Sequence, residues 1–349
     1  MDNSKNLSIP EKIDLITCNL QEVIGEDKLK SILQQRNLKL YWGTATTGKP
    51  HIGYLVPLVK IAYFLRAECE VTILFANLHA FLDALKSSWE QLEYRTQYYE
   101  KIIKETLKSL GVNISKLKFV KGTEFQLSAD YSIDMYKMMS KMSLRDANKA
   151  GAEVVKQSKN PKMSSLLYPG LQALDEQYLQ VDAQFGGVDQ RKIFMLARKY
   201  LPMLGYSERI HLMNPMIPSF ANPNGKMSSS DINSKIDLLD TPKKLSKKIN
   251  KAYCLEGDIE NNGLLTFAKY VIFPIIVLRK SLNWTIPRDE KFGGEMVYAN
   301  YEVLEQDFEK KHLHPADLKF GIQHFLNQLL TPIRQAFTGD TELISKAYA

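Results

Sequence analysis

Apolar residues recur at helical spacing through 11–35 (Ile13, Ile16, Leu20, Ile24, Leu29, Ile32 and Leu33), which predicts an amphipathic helix. A short apolar run at 38–42 ends in Gly43 and opens into a Thr, Gly and Pro-containing loop, and helical periodicity returns over 52–67. The pattern is therefore strand, loop, helix. Residues 71–76 (VTILFA) read as a buried strand, 91–110 as a long helix and 117–120 as a third strand. Strands alternating with helices predict an α/β domain with a mainly parallel sheet. Ligands of such sheets bind at the carboxyl ends of the strands, where loops 43–51 and 77–83 fall. From about 236 the character changes. Helices are predicted over 238–254, 263–277 and 315–330, with a short strand near Val297. The expected division is an N-terminal helical segment (1–35), an α/β domain (36–235) and a helical domain (236–349).

Composition sharpens this only modestly. The 349 residues carry 46 basic and 39 acidic side chains, a formal charge of +7 that leans toward an anionic partner. Over 231–349 the two signs balance, so the excess lies in the first 230 residues. The local run Lys243, Lys244, Lys247, Lys248 and Lys251 reads first as a solvated helix face. Cys18, Cys69 and Cys254 are scattered, without metal-ligand spacing, which suits a reducing compartment and argues against structural zinc. The longest nearly apolar run, 271–278, contains Pro274 and falls well short of the roughly 20 residues a membrane helix needs. No signal-peptide pattern opens the chain, so the cytoplasm is the expected location.

Three constellations carry chemistry. The first is GTATTGKPHIGY (43–54), where glycines admit a polyphosphate close to the backbone. The following helix start offers free N–H groups, and His51 can donate to a phosphate oxygen as charge develops. The second is GKMSSS (225–230), a cation followed by hydroxyls. The third is YPGLQALD (168–175), with Tyr168, Gln172 and Asp175 on one helix face, followed by FGGVDQR (185–191). Each has a bland alternative when taken alone: a Gly/Pro loop, a solvated Ser-rich loop, a polar helix edge. Their order and context make the set specific.

Taken together, HIG and KMSS resemble the two signatures of class I aminoacyl-tRNA synthetases. From about 11 to 349 the chain resembles the tyrosyl-tRNA synthetases of eukaryotic and archaeal type. That likeness extends to YWGTATTGKPH (41–51), ANLHAFLD (76–83), KAGAEVVKQ (149–157) and VDAQFGG (181–187). It implies a Rossmann-like catalytic domain, a helical anticodon-binding domain, a homodimer, and tyrosine, ATP with Mg2+ and tRNA(Tyr) as substrates, with no membrane association. It also implies roles. Tyr41 and Asp175 would meet the substrate phenol; a site built to hydrogen-bond an OH rejects its deoxy analogue, a rule whose usual illustration is tyrosyl-tRNA synthetase itself. Tyr168, Gln172 and Gln190 would hold the ammonium group, with His79 and Gln126 lining the pocket. Gly43 and Gly53 would admit ATP, Asp189 would take its ribose, and Thr46 and His51 its phosphates. Lys226, Ser228, Ser229 and Ser230 would close over the pyrophosphate. Phe292 would stack on an anticodon base and Asp317 would read a guanine edge; the alternatives are a core aromatic and a helix N-cap. Two positions depart from the class pattern. Tyr54 replaces the second histidine of the first signature and Ser229 the second lysine of the other, with Lys49 a candidate replacement cation. The competing assignments are a tryptophanyl-tRNA synthetase, a nucleotidyltransferase with a similar phosphate loop, and a catalytically silent binding protein.

Overall fold

The structure is a computed structural model that describes residues 7–83, 88–154, 162–220, 235–260 and 262–348. The chain begins with helix α1 (Ile9–Thr17), whose N-terminus is closed by a reciprocal pair of hydrogen bonds between Ser8 and Glu11. The helix expected over 11–35 does not run through. It is split by strand β1 (Glu22–Ile24) and resumes as α2 (Glu26–Leu33). The cause is local: Asn19 and Gly25 both take positive φ, at 58° and 95°, which breaks the helix on either side of β1. Apolar residues at 20 and 24 fit either conformation, and pairing with the sheet edge decides between them.

The strands β2 (Lys39–Thr44), β3 (Glu70–Phe75) and β4 (Leu117–Lys121) alternate with the helices α3 (Leu55–Arg66), α4 (Asn77–Leu82) and α5 (Trp89–Ser109). Then come α6 (Ala129–Lys141), α7 (Leu144–Gly151), α8 (Met163–Tyr178), β5 (Ala183–Gly187), α9 (Arg191–Tyr200) and β6 (Ile210–Asn214). The strand order is β1-β6-β5-β2-β3-β4, parallel throughout except for β1, which lies antiparallel on β6 with Glu22 opposite Met213. Strands β5 and β6 carry no alternating pattern because both faces are covered; every residue from Ile210 to Asn214 is buried. The chain moves outward from β2 in one direction and, after α8, in the other. The topological switch point therefore lies between β2 and β5, where an α/β sheet places its ligand site.

The rest is mainly helical: α10 (Pro242–Asn250), α11 (Gly263–Phe267), a π-helical turn (Ala268–Ile272), α12 (Phe273–Leu278), α13 (Tyr301–Glu309), α14 (Pro315–Ala336) and α15 (Thr341–Tyr348). A two-stranded ribbon, β7 (Trp284–Ile286) with β8 (Met296–Tyr298), accompanies them. Helix α10 starts later than the periodicity suggests because Thr241 caps it and Pro242 occupies its first turn. One apolar core runs from Ile16 through the sheet helices to Ala347. The Tyr63 hydroxyl donates to the Pro274 carbonyl at 3.2 Å, and the Ser109 hydroxyl to the Leu329 carbonyl at 2.6 Å. The helical part is thus seated directly on α3 and α5. No helix among the described residues is long and apolar enough to cross a membrane.

Candidate active site

At the switch point, the ends of β2 and β5 line a cavity of about 400 Å³. Its walls include Tyr41, Gly43, His51, Gly53, Tyr54, His79, Tyr168, Gln172, Asp175, Asp189 and Gln190, so residues from the first and third constellations meet in one place. The GKMSSS motif, with Lys226 and Ser228 to Ser230, lies outside the described residues.

The deep end of the cavity is built on α8. Its helical repeat puts Tyr168, Gln172 and Asp175 on the cavity side, while the neighbouring Glu176 points the other way and meets His211 Nε2 of β6 at 2.7 Å. Both members of that pair have no exposed surface, and the Phe194 ring lies nearly parallel to the imidazole with 4.7 Å between centroids. Helix α8 is therefore pinned from behind. Asp175 is 1% exposed; its Oδ1 accepts from Gln126 Nε2 at 2.8 Å and lies 2.9 Å from Tyr131 Oη. Burial, the largest cause, pushes this carboxyl up to about 7, against the lowering effect of the hydrogen bond from Gln126. Tyr41 is equally buried and donates to the Gln172 carbonyl at 3.3 Å. The Gln172 amide in turn donates to Gln190 at 3.2 Å, tying α8 to the turn after β5. Tyr168 packs edge-on against His79, 4.5 Å between centroids. Gln126 does not line the cavity. It stands behind, between His79 and Asp175.

The other end is the first glycine loop. His51 caps a single 3-10 turn (Ile52–Tyr54), its Nδ1 accepting from the Gly53 N–H at 3.1 Å. The proton of the neutral ring therefore sits on Nε2. Burial, aided by the charge of Lys235, lowers the imidazole to about 4, so the neutral form prevails at pH 7. An antiparallel bridge from His51 to Asp237 and a 2.9 Å bond from Ile52 N–H to the Ile236 carbonyl fix the turn from outside. The Tyr54 hydroxyl lies 3.2 Å from Thr44 Oγ1 and 3.3 Å from the Tyr99 hydroxyl, which donates to the Gly48 carbonyl at 2.5 Å. A tyrosine at this position thus ties the strand end to α5 and to the loop. Thr46 is buried behind the lining, whereas Thr47 belongs to it. Lys49 lies over the Tyr348 ring at 5.3 Å, also away from the lining.

At β5, Gly187 has a steric reason: a Cβ there would sit 2.5 Å from Asp189 Oδ1. Gln184, Asn214 and Met216 are among the lining residues to which the motifs assigned no role. Gln184 Oε1 and Asn214 Nδ2 are buried without a hydrogen-bond partner among the described residues, which marks this wall as a polar ligand surface. Among the described residues no group of three His, Cys, Asp or Glu side chains is gathered around a metal position.

Phe292 and Asp317 are remote from this lining, in the helical part. Phe292 is 65% exposed, with Lys291 over its ring at 4.9 Å, so it is no core aromatic. Asp317 is not the N-cap of α14, a place taken by His314; it faces Arg288 at 3.7 Å.

Fold and cavity define an α/β protein with a ligand site at the switch point of a parallel sheet, floored by a glycine loop and a 3-10 turn. The family model of class I tRNA synthetases (W and Y) matches residues 33–331, and the chain belongs to that family. It is 58% identical over 346 residues to the cytoplasmic tyrosine–tRNA ligase of Danio rerio, covering 99% of this chain and 64% of that one, just under two thirds of the relative's length. The cytoplasmic tyrosine–tRNA ligase of Saccharomyces cerevisiae is 53% identical over 347 residues, with 98% and 88% covered. The crystal structure of tyrosyl-tRNA synthetase complexed with L-tyrosine from Archaeoglobus fulgidus matches with a TM-score of 0.86 at 37% identity, covering 94% of this chain and 99% of that one.

Proposed function

We propose that the protein is a tyrosine–tRNA ligase: it joins the carboxylate of L-tyrosine to the α-phosphate of ATP, releases pyrophosphate, and passes the tyrosyl group to the 3′ end of tRNA(Tyr). The observation that carries this reading is a single cavity with a buried carboxyl and a tyrosine hydroxyl, Asp175 and Tyr41, at one end and a neutral histidine on a glycine turn at the other. A phenol donates to Asp175 and accepts from Tyr41, whose proton then leaves the Gln172 carbonyl; an indole has only one donor to offer, which favours tyrosine over tryptophan. Tyr168, Gln172 and Gln190 take the ammonium group. Asp189 takes the ribose, Gly43 and Gly53 leave room for the nucleotide, and His51 Nε2–H serves the phosphates, with Thr46 set behind the lining and not in contact with them. Lys226 and the serines 228–230 close over the pyrophosphate, with Mg2+ entering as the companion of ATP. Catalysis is alignment plus charge stabilisation, without a protein nucleophile.

Amino-acid-dependent ATP–pyrophosphate exchange tests this. Exchange with tyrosine and none with tryptophan or phenylalanine is the expected result; no exchange with any of the three, from folded protein that retains tRNA, overturns it in favour of a binding protein. Gly187→Ala is expected to displace Asp189 and raise the KM for ATP by about ten- to a hundredfold, the loss of a charge-assisted hydrogen bond of about 1.5–3 kcal/mol, with the tyrosine KM little changed.

The residues from 236 onward are the anticodon-binding unit in this reading, distinct from the catalytic 36–235. The exposure of Phe292 supports it, because a base can stack only on an accessible ring. Phe292→Ala is expected to raise the KM for tRNA and to leave pyrophosphate exchange unchanged. We also read the protein as a cytoplasmic homodimer, the location following the relatives' names. Leu127, Ile133, Tyr136, Leu144 and Met163 are each at least half exposed, and all fall on or beside α6, α7 and the start of α8, which pack together. Such an apolar patch marks a protein interface. Tyr136→Glu is expected to shift the sedimentation of the protein to that of a monomer; an unchanged dimer removes this patch from consideration.

A further inference from the structure

The hydroxyl of Tyr131, on α6, is buried and is not part of the cavity lining, yet it approaches two oxygens at once: the Leu171 carbonyl at 2.8 Å and Asp175 Oδ1 at 2.9 Å. A carbonyl has no proton to give, and a phenol has only one. If Asp175 were ionised, that proton would serve one of the two contacts and leave two bare oxygens facing each other at the other. The remaining neighbour of Oδ1 does not relieve this. Gln126 Nε2 is a donor, giving one proton to Oδ1 at 2.8 Å while its other faces His79 Nδ1 at 3.4 Å. Burial lowers the His79 imidazole to about 4, so its ring is neutral and accepts there.

We propose that Tyr131 is the positioning residue of the specificity carboxyl: in the empty cavity Asp175 is a neutral acid whose proton sits on Oδ1 and is donated to Tyr131 Oη, which donates its own to the Leu171 carbonyl. Every contact then carries one proton. The relay also fixes which oxygen is which. Oδ1 is committed to Tyr131 and Gln126, and Oδ2 is left as a carbonyl-type acceptor for a substrate hydroxyl. The site accepts a phenol without placing an unpaired anion in a closed apolar end, where the desolvation cost would be greatest.

The groups acting on this carboxyl are consistent with a neutral acid. Glu176 on its own helix opposes ionisation, and Tyr41 on β2, Tyr131 on α6 and Tyr168 on α8 are phenols whose own ionisation is pushed up by burial and by Asp175. None of these, nor His79 on α4, supplies a positive charge. Burial raises the ionisation point of Asp175 to about 7, the direction a neutral acid requires.

This rests on the reading of Asp175 as the phenol acceptor, but its test does not. In the empty wild-type protein, without nucleotide or tRNA, the infrared difference against Asp175→Asn is expected to contain a protonated-carboxyl C=O band on the acid side of about pH 7 that fades above it. Tyr131→Phe removes the acceptor of the acid's proton and is expected to move the midpoint down. If Tyr131 instead donates to a carboxylate, the same substitution moves the midpoint up, and that sign overturns the proposal, as does absence of the band in the wild type. Neither outcome depends on whether the protein charges tRNA. In tyrosine-dependent exchange, Tyr131→Phe is expected to raise the tyrosine KM about fivefold, the equivalent of one neutral hydrogen bond, with kcat within about a factor of two. A merely structural tyrosine would shift neither the band midpoint nor KM without kcat.

Discussion

Asp175→Ala is expected to lower kcat/KM for tyrosine in ATP–pyrophosphate exchange by about 10²–10³. On the proposed reading, removing the carboxyl takes away the acceptor of the substrate hydroxyl, and a buried, unmet hydroxyl costs about 1–3 kcal/mol. It also strands Gln126 Nε2 and Tyr131 Oη, which now point at Asp175 Oδ1 from 2.8 and 2.9 Å in a region closed to solvent. Taken together, a loss of about 3–4 kcal/mol is the right order, and about 1.4 kcal/mol is a factor of ten. Phenylalanine would lose nothing by the change, because it presents no hydroxyl. The discrimination between tyrosine and phenylalanine should therefore fall by more than the folded fraction does, which a thermal melt on the same samples reports. Equal losses for both amino acids would mean that the substitution damages the cavity rather than its recognition of a phenol.

The partners of that carboxyl show where the sequence was legible and where it was not. The periodicity of α8 is strong, so Tyr168, Gln172 and Asp175 could be placed on one face, and the structure puts all three on the cavity wall. Tyr131 left no trace: it stands on an ordinary amphipathic helix, and what distinguishes it is the three-dimensional approach of α6 to α8. Strands β5 and β6 were hidden for a related reason. Both are covered on each face, and their polar members, Gln184, His211 and Asn214, are buried against the site or against Glu176, so no alternation between polar and apolar survives. The glycines 186 and 187 further disguise β5 as a loop. At the N-terminus the error ran the other way, since apolar spacing suited a helix while Asn19 and Gly25 turned the chain into β1. Local pattern identified what single elements do; the pairing between elements that completes the site was not encoded at that range.

His51 allows the same substitution to be read twice, with opposite signs. Its Nε2–H is the one ring donor left once Nδ1 accepts from Gly53, and it lines the cavity beside the glycine loop. A donor aimed at charge that develops in the transition state contributes about 10²–10³ in kcat, so His51→Asn is expected to lower the exchange rate by that order with the ATP KM less affected. Asparagine is nonetheless a good N-cap and can accept from the same N–H. The titration goes the other way. The imidazole is lowered from 6.5 to about 4 in the folded protein, so between those values the unfolded chain binds the extra proton. The stability this group contributes is present above about pH 6.5 and is lost as pH falls toward 4, up to about 3 kcal/mol for a shift of this size in a buried ring. Asp175 opposes the trend, because its raised value makes the folded state the one that binds the proton from its ordinary range up to about 7. That contribution is common to wild type and variant and cancels in their difference. Urea denaturation at a series of pH values should therefore show His51→Asn losing less stability than wild type as pH falls from about 6.5 to 4, while being the poorer enzyme throughout. Parallel stability curves would mean that the ring is not held neutral, and the proton on Nε2, with the catalytic role built on it, would have to be reassigned.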